Sequence, residues 1–243
     1  MKPLFTNLFA QRAALFHGGL LVGAEDVFAH LKQRCWETIA QHSAKPVDTL
    51  SAEEIWSVVQ QVRLDMKNPQ WCETIAQCVQ LCGVRVKFFV DPPTLRCSVP
   101  NGHTNPQASK AYGIHRDTWY GYPAGVVNVW VPLLGHNECN GMEVFLDYFD
   151  KEVANNSHQI DPKNWTHNSV FPECLDTIDD PGLALFHPQG QYYLFSGQQL
   201  HRGQPNTSGV TRWSVDFRVY FNDIGPQLLD YHGPVVAHRM QKF

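Results

Sequence analysis

Three side chains that could together hold a transition metal stand at positions 115, 117 and 201. His115 and Asp117 are separated by one residue in the segment GIHRDTWY, and His201 follows the apolar segment QYYLFSG after a short polar turn. Residues two apart in a β-strand point to the same face, so we expect His115 and Asp117 to project together, with Arg116 on the opposite side. Two imidazoles and one carboxylate on one face of an octahedral ferrous ion leave three positions open. An isolated HxD pair would also fit a surface pair or a simple His–Asp hydrogen bond, so the interpretation depends on residues later in the chain.

A second group of polar residues begins the segment TRWSVDFRV. Arg212 lies eleven positions after His201, and Ser214 shares the predicted strand face of Arg212. A dicarboxylate that chelates iron through a keto-acid end must have its distant carboxylate neutralised inside the protein. A planar guanidinium suits this task because it can donate two parallel hydrogen bonds, and a neighbouring hydroxyl can donate another. An isolated arginine is usually a solvated surface charge, but next to the His-Asp-His pattern it favours a keto-acid site.

The elements before Gly83 are predicted to be helical. Apolar residues recur every fourth position over residues 24–44 (AEDVFAHLKQRCWETIAQHSA), which indicates an amphipathic helix. Ser51 is predicted to be the N-cap of a second helix, with Glu54 in the capping-box position. A third helix is predicted over residues 71–82, and it ends at Gly83.

After Gly83 the chain changes to short segments rich in β-branched and aromatic residues, separated by turn residues. Many short strands at this spacing are typical of a β-sandwich or small barrel. We therefore predict a mainly β fold with a helical N-terminal layer. No Pro/Gly/Ser-rich linker divides the two parts, so residues 1–243 are expected to form a single domain, with a helical buttress (1–83), a β-core (84–222) and a C-terminal tail (223–243).

Composition narrows the range of partners. The 243 residues are 43% hydrophobic and 17% charged, which is ordinary for a globular protein with a sizeable core. The formal net charge is −4 and basic residues are not clustered, so we predict that the chain binds neither nucleic acid nor an anionic membrane. No apolar stretch has the length of a signal peptide or membrane span, and we expect a cytoplasmic protein.

The seven cysteines are an odd number and form no CxxC pair. Cys78 and Cys82 are four apart in a predicted helix and could share a face, but no second pair completes a zinc site. Free and mostly buried thiols are therefore the favoured interpretation.

Taken together, these motifs resemble those of a known family. HRDTW, followed much later by His-x10-Arg-x-Ser, is similar to the 2-oxoglutarate/Fe(II) dioxygenases of the phytanoyl-CoA hydroxylase-like branch. Within that branch, PPTLRCSVP, NGMEVFLDYFDKEVANNS and TRWSVDFRV resemble a bacterial group that includes the Kdo 3-hydroxylase and oxygenases encoded with antibiotic biosynthesis genes. The resemblance covers roughly residues 85–222. It implies a double-stranded β-helix (jelly-roll) core with helices buttressing one sheet.

The resemblance also implies roles for individual residues. His115, Asp117 and His201 are expected to ligate Fe(II), and Arg212 is expected to bind the distal carboxylate of 2-oxoglutarate with help from Ser214. Asn128 is expected near the metal-bound carboxylate of the co-substrate. Halogenating relatives carry Ala or Gly in place of the aspartate, so the carboxylate of Asp117 implies hydroxylation or another oxidation with O2 instead.

Several residues are candidates for contact with a substrate. The aromatic residues after the HxD pair and the residues that share strand faces with the site are Trp119, Tyr120, Trp130 and Arg218. Flat aromatic surface combined with a few polar groups is typical of small-molecule sites, so we predict a small polar metabolite as substrate. Two other functions remain open: a cupin-type metal enzyme without a keto-acid co-substrate, and a non-catalytic jelly-roll module that binds carbohydrate.

Overall fold

The computed structural model describes residues 6–23, 26–105, 112–161, 170–186, 191–221 and 240–243. Its α-helices are α1 (Ala29–His42), α2 (Ala52–Asp65) and α3 (Gln70–Leu81). Its strands are β1 (Leu20–Gly23), β2 (Phe88–Val90), β3 (Thr94–Ser98), β4 (Val126–Leu134), β5 (Met142–Val144), β6 (Leu183–Leu185), β7 (Tyr192–Ser196), β8 (His201–Gly203), β9 (Arg212–Phe221) and β10 (Gln241–Lys242). Within these ranges no helix has the length and apolar character needed to cross a membrane.

The three predicted helices are present, and the start of α2 and the end of α3 follow the predicted signals. At α2 the Ser51 hydroxyl accepts a hydrogen bond from the Glu54 amide, and the Glu54 carboxylate accepts one from the Ser51 amide, which completes the capping box. Helix α3 ends next to Gly83, which adopts a left-handed φ of 90°. Helix α1 begins at Ala29, later than predicted, and residues 24 and 25 lie outside the described residues.

Among the described strands, seven form one antiparallel sheet in the order β1-β7-β4-β9-β2-β10, with β3 also paired to β9. The long central strands β4 and β9 place Asn128 opposite Arg218, Trp130 opposite Asp216 and Pro132 opposite Ser214. Strand β1 was not predicted. Besides the helices, the first third of the chain contributes this edge strand, which pairs with β7.

The two faces of this sheet have different chemistry because side chains alternate along each strand. On β4, Val127, Val129 and Val131 point to one face and belong to the main hydrophobic core, which also contains the buried faces of α1, α2 and α3. Phe28, just before α1, packs its ring edge-on at 5.4 Å from the ring of Phe217. The helical layer therefore covers this outer face, as predicted, and the intervening residues of β4, among them Asn128 and Trp130, are directed to the inner face.

A second antiparallel sheet, in the order β6-β5-β8, lies against the inner face. The contact is a separate hydrophobic cluster in which Trp130 and Phe195 of the large sheet meet Val144 and Leu185 of the small one. The mainly β architecture with a helical N-terminal layer is thus confirmed. The inner face between the two sheets is where the candidate site lies.

The described cysteines form no disulfide with one another, as predicted. Four of them are buried, namely Cys35, Cys72, Cys78 and Cys82. Burial raises the pKa of the Cys78 thiol to about 11, so this sulfur is protonated and unreactive near neutral pH.

Candidate metal centre

The segment that carries His115 and Asp117 is not the strand we predicted. His115 forms an isolated antiparallel bridge with His201, in which each amide donates to the other residue's carbonyl at 2.9 and 3.0 Å. The chain then turns into a 3-10 helix, Asp117–Tyr120, because the carbonyl of Gly197 accepts from both the Asp117 and Thr118 amides. His115 and Asp117 do lie together, but pairing across the chain, and not strand alternation, brings them to the same place.

The three predicted ligands meet in a small cluster. The Oδ1 of Asp117 lies 3.7 Å from the Nε2 of His115 and 4.0 Å from the Nε2 of His201. One ligand atom from each of the three residues lies within 4.8 Å of the others. This arrangement places two nitrogens and one oxygen around a common point, which is the donor set of a His-Asp-His metal site.

Backbone carbonyls hold both imidazoles in the form that binds a metal. The Nδ1 of His115 donates to the carbonyl of Gly113 at 2.8 Å, and the Nδ1 of His201 donates to the carbonyl of Gln199 at 2.7 Å. Since Nδ1 carries the proton in each ring, Nε2 keeps its lone pair. Such outer contacts orient metal-binding histidines and fix their tautomer.

The electrostatics of the cluster also suit a cation. Burial, together with the neighbouring His201, lowers the pKa of His115 to about 4, and burial lowers that of His201 as well, so both rings are neutral near pH 7. Burial opposes the ionisation of Asp117, but the guanidinium of Arg218 and the two neighbouring imidazoles together outweigh it and hold the pKa of Asp117 below its usual range. The Oδ1 of Asp117 is buried, and it finds no hydrogen-bond partner among the described residues. A buried carboxylate oxygen beside two imidazole lone pairs fits a divalent cation.

A second set of polar atoms lies on the inner face of β4 and β9. The Nη1 of Arg212 donates to the carbonyl of Gly141 at 2.8 Å, and the guanidinium carbon lies 5.6 Å from the ring centre of Trp130. The Nε of Arg212, the Oγ of Ser214 and both amide atoms of Asn128 are buried, and within the described part of the chain they have no hydrogen-bond partner. Buried polar atoms are nearly always satisfied, so these donors and acceptors point to a polar ligand between the sheets.

The charged side chain of Arg212 is buried between the two sheets. Burial lowers its pKa to about 10, which still leaves the guanidinium fully protonated near neutral pH. A buried cation needs an anionic partner, and the hydrogen bond of its Nη1 within the described residues goes to a backbone carbonyl and not to a carboxylate. A carboxylate of a bound molecule would supply that partner.

Arg218 was predicted to contact a substrate. In the structure its guanidinium contacts acidic residues of the chain. Its Nε donates to the Oδ2 of Asp117 at 2.8 Å, and its Nη1 lies 3.6 Å from Asp91 and 3.7 Å from Asp216. Its guanidinium carbon also lies 4.7 Å from the ring centre of Tyr122. Arg218 is therefore surrounded by acids of the chain itself.

The predicted aromatic residues are distributed between core and site. Trp119 is fully buried and packs in a hydrophobic cluster with Phe145, Val153 and Leu200, and its contact with a substrate stays a prediction. Trp130 packs between the two sheets beside Arg212. Tyr120 is partly exposed, and its ring lies edge-on at 5.7 Å from that of His115, which places it beside the metal position.

Sequence reasoning missed three residues that shape the site. Arg116 is fully buried and donates to backbone carbonyls of Tyr148, Lys151 and Gln198, which ties the ligand segment to two loops. Ser98 and Tyr112 share a hydrogen bond of 2.9 Å. Ser98 pairs with Arg212 in the sheet, so this hydroxyl pair lies near the guanidinium. Only the alternation in β3 pointed to Ser98, and nothing local distinguished Arg116 from a surface arginine.

Comparisons with known proteins find only remote structural similarity. No protein-family model matches the chain, and no curated protein matches it. EctD from S. alaskensis, solved with 2-oxoglutarate and 5-hydroxyectoine, is 14% identical, with 93% of this chain and 88% of that chain covered and a TM-score of 0.47. The non-heme alpha ketoglutarate dependent carbocyclase SnoK from nogalamycin biosynthesis is 14% identical, with 96% and 95% covered and a TM-score of 0.46. The non-heme monooxygenase ThoJ, in its apo form, is 12% identical, with 89% and 79% covered and a TM-score of 0.46.

Likenesses of this degree assign no activity to the chain.

Proposed function

We propose that the protein is a non-haem Fe(II)/2-oxoglutarate-dependent oxygenase that hydroxylates, or otherwise oxidises, a C–H bond of a small polar metabolite. The observation that carries this proposal is the combination of two features on one inner face. One is the cluster of His115, Asp117 and His201, in which the Nε2 lone pairs and the Oδ1 of the aspartate surround a common point. The other is the buried guanidinium of Arg212 beside the hydroxyl of Ser214. In this proposal the two facing sheets are a jelly-roll core.

Each residue then has a defined task. His115, Asp117 and His201 would hold Fe(II) through Nε2, Oδ1 and Nε2, and leave three positions of the ion open. With 2-oxoglutarate and O2, iron held in this way supplies the oxidation of a C–H bond, coupled to the loss of CO2 from the keto acid and the formation of succinate. Arg212 and Ser214 would bind the far carboxylate of 2-oxoglutarate, and Asn128 would hydrogen-bond near its chelating end.

The spacing along the strands is compatible with one co-substrate joining the two features. Arg212 contacts Gly141, and His201 pairs with Val144 on the same strand segment. Three residues along a strand span about 10 Å, and the side chains of both residues extend into the gap. This span is compatible with a five-carbon dicarboxylate that reaches from a metal at His201 to the guanidinium.

The two alternative functions explain fewer of these observations. A cupin-type enzyme without a keto acid accounts for the metal ligands but gives Arg212 no anionic partner. A carbohydrate-binding module accounts for the polar inner face but gives no reason for two histidines that are held with Nε2 unprotonated. Of the three functions, only the keto-acid oxygenase gives a role to Arg212 and to the two histidines at the same time.

The pattern of solvent exposure around the metal position favours a small substrate. Asp117 and His201 are almost fully buried, whereas the His115 side chain is 18% exposed and lies next to the partly exposed Tyr120. Access to the metal is therefore on the side of His115 and Tyr120. An aromatic side chain beside the accessible edge of the metal position suits a small molecule with an accessible C–H bond.

The proposal is tested by assembling the site without any substrate. Metal-free protein is titrated with Fe(II) and then 2-oxoglutarate under anaerobic conditions, and the visible charge-transfer absorption of the keto-acid chelate is recorded. We expect one Fe(II) per chain, a chelate band in the native protein, and loss of both in His115→Ala and His201→Ala. The control is His158→Ala, which removes an exposed histidine in a separate 3-10 turn. Iron binding without a chelate band would favour the cupin-type enzyme, and no iron binding would favour the binding module.

The substrate class needs a second assay. Succinate release is measured with panels of sugars, sugar acids, amino acids and peptides, and each product is identified by mass spectrometry. We expect turnover to be stimulated by a small metabolite. Stimulation by macromolecules alone would contradict the proposed substrate class and leave the co-substrate site intact.

A further inference from the structure

The two carboxylate oxygens of Asp117 face different partners. Oδ1 lies 3.7 Å from the Nε2 of His115 and has no hydrogen-bond partner in the part of the chain that is described. Oδ2 accepts a 2.8 Å hydrogen bond from the Nε of Arg218. The carboxylate is therefore oriented with one oxygen toward the metal position and the other toward an arginine.

Arg218 is itself held from three other directions. Its Nη1 lies 3.6 Å from the Oδ2 of Asp91 and 3.7 Å from the Oδ2 of Asp216, and its guanidinium carbon lies 4.7 Å from the ring centre of Tyr122. The hydroxyl of Tyr122 donates to the same Asp91 oxygen at 2.6 Å, and the Asp91 amide donates to the Arg218 carbonyl at 3.0 Å. These contacts fix the plane of the guanidinium, so its Nε–H is directed at Asp117.

We propose that Arg218 is a positioning residue that keeps Asp117 a one-oxygen ligand of the iron; this inference rests on the proposed function. Carboxylates can bind metals through one oxygen or through both. With one oxygen from Asp117 and one nitrogen from each histidine, an octahedral ion has three open positions, two for a chelating keto acid and one for a further ligand. If Oδ2 also turned to the metal, it would occupy one of these positions. The hydrogen bond to Arg218 prevents this because it holds Oδ2 on the opposite side.

This role differs from the substrate contact predicted for Arg218 from the sequence. The described contacts direct its Nε to Asp117 and its Nη1 to two more carboxylates, and only 12% of its side chain is exposed. A residue that gripped the substrate would affect binding of the substrate alone. A residue that positions Asp117 affects binding of 2-oxoglutarate even when no substrate is present, and this difference makes the two roles separable.

The test is the anaerobic titration of metal-loaded protein with 2-oxoglutarate, with no substrate added, for the native protein, Arg218→Met and Arg218→Lys. Changes in residues that orient metal ligands typically weaken a site about 10- to 100-fold. We expect the dissociation constant of 2-oxoglutarate to rise by about that factor in Arg218→Met, while one Fe(II) per chain is still bound. Arg218→Lys should give an intermediate value, because an ammonium can donate to Oδ2 but cannot reproduce the planar fork.

The matched control is Arg202→Met, which removes another short arginine–carboxylate pair, the 2.6 Å contact with Glu143 on β5. It should lower the melting temperature without changing the affinity for 2-oxoglutarate. Native affinity for 2-oxoglutarate in Arg218→Met would overturn the role of Arg218 alone. Absence of a chelate in the native protein would overturn the proposed function and this role with it. If Arg218→Met is recovered unfolded, Arg218→Lys decides, and native affinity in that variant would overturn the proposal.

Discussion

The guanidinium carbon of Arg212 lies 5.6 Å from the ring centre of Trp130, on the inner face of the large sheet. The carbonyl of Gly141 accepts from Nη1, and the buried Nε has no hydrogen-bond partner among the described residues, so it is available to a bound ligand. A cation over an aromatic face is attracted to the electron-rich ring, and the attraction is strongest away from water. Trp130 therefore orients the residue that is proposed to bind the co-substrate.

Arg212→Ala is expected to raise the KM for 2-oxoglutarate with little effect on iron affinity. Loss of one partner of a buried charge-assisted contact costs about 2–5 kcal/mol, which corresponds to a factor of at least ten. Arg212→Lys should recover only part of the loss, because an ammonium does not offer the bidentate geometry of arginine. Succinate release measured against 2-oxoglutarate concentration gives the KM, and an unchanged value would contradict the assignment of Arg212.

Metal binding is expected to stabilise the fold. A ligand that binds only the folded state at 100 times its dissociation constant adds about 2.7 kcal/mol to the free energy of unfolding. Fe(II) or Co(II) should therefore raise the melting temperature of the metal-free protein, and a chelator should reverse the shift. His201→Ala should show no shift, whereas the exposed His158→Ala should keep it. A full shift in His201→Ala would place the bound metal elsewhere.

Gly197→Ala is expected to weaken metal binding through a clash next to Asp117. A Cβ at position 197 would lie 2.2 Å from the Cγ1 of Val126, and the carbonyl of Gly197 accepts the amides of Asp117 and Thr118. The added methyl group must displace this turn, so both the melting temperature and the metal affinity should fall.

The double variant Gly197→Ala/Val126→Ala tests the cause of that loss. Val126→Ala removes the clashing Cγ1, and the Cβ of Val126 would lie at 3.7 Å, an ordinary contact. Metal affinity should therefore recover in the double variant relative to Gly197→Ala alone. If it does not recover, the clash is not what disturbs the site.

Trp119→Phe is expected to lower stability and leave the site unchanged. Trp119 is fully buried among Phe145, Val153 and Leu200, so the smaller ring leaves a cavity. Removal of a whole buried aromatic side chain costs about 3–5 kcal/mol, and replacement by phenylalanine should cost a part of that. Denaturant unfolding measures the loss, and the chelate titration checks the site. Weaker binding of 2-oxoglutarate with native stability would show that Trp119 contributes to the site and contradict a role in packing alone.

Much of the architecture was predictable because it depends on local patterns. The capping box of Ser51 and Glu54 and the glycine at position 83 mark helix ends through hydrogen bonds and backbone conformations within a few residues. Alternation in β4 and β9 separated the valine face that meets the helices from the polar face that carries Asn128, Arg212 and Ser214. These are properties of neighbouring residues, and they are visible in a linear sequence.

The segment around His115 shows where local patterns are insufficient. GIHRDTWY has the composition of a strand, but the carbonyl of Gly197 draws the Asp117 and Thr118 amides into a 3-10 turn. The accepting carbonyl comes from a distant part of the chain, so no pattern within the segment predicts it.

The residue types available for the site can be read from the linear sequence: two histidines, one aspartate and an arginine with a serine two residues later. How the charges are paired depends on the tertiary structure. Arg116, Arg212 and Arg218 are alike in the sequence, yet Arg116 donates to backbone carbonyls, Arg212 keeps a buried Nε without a partner among the described residues, and Arg218 donates to Asp117. The reason is physical: the role of a buried charge depends on which groups from distant segments surround it, and only the folded chain brings those groups together.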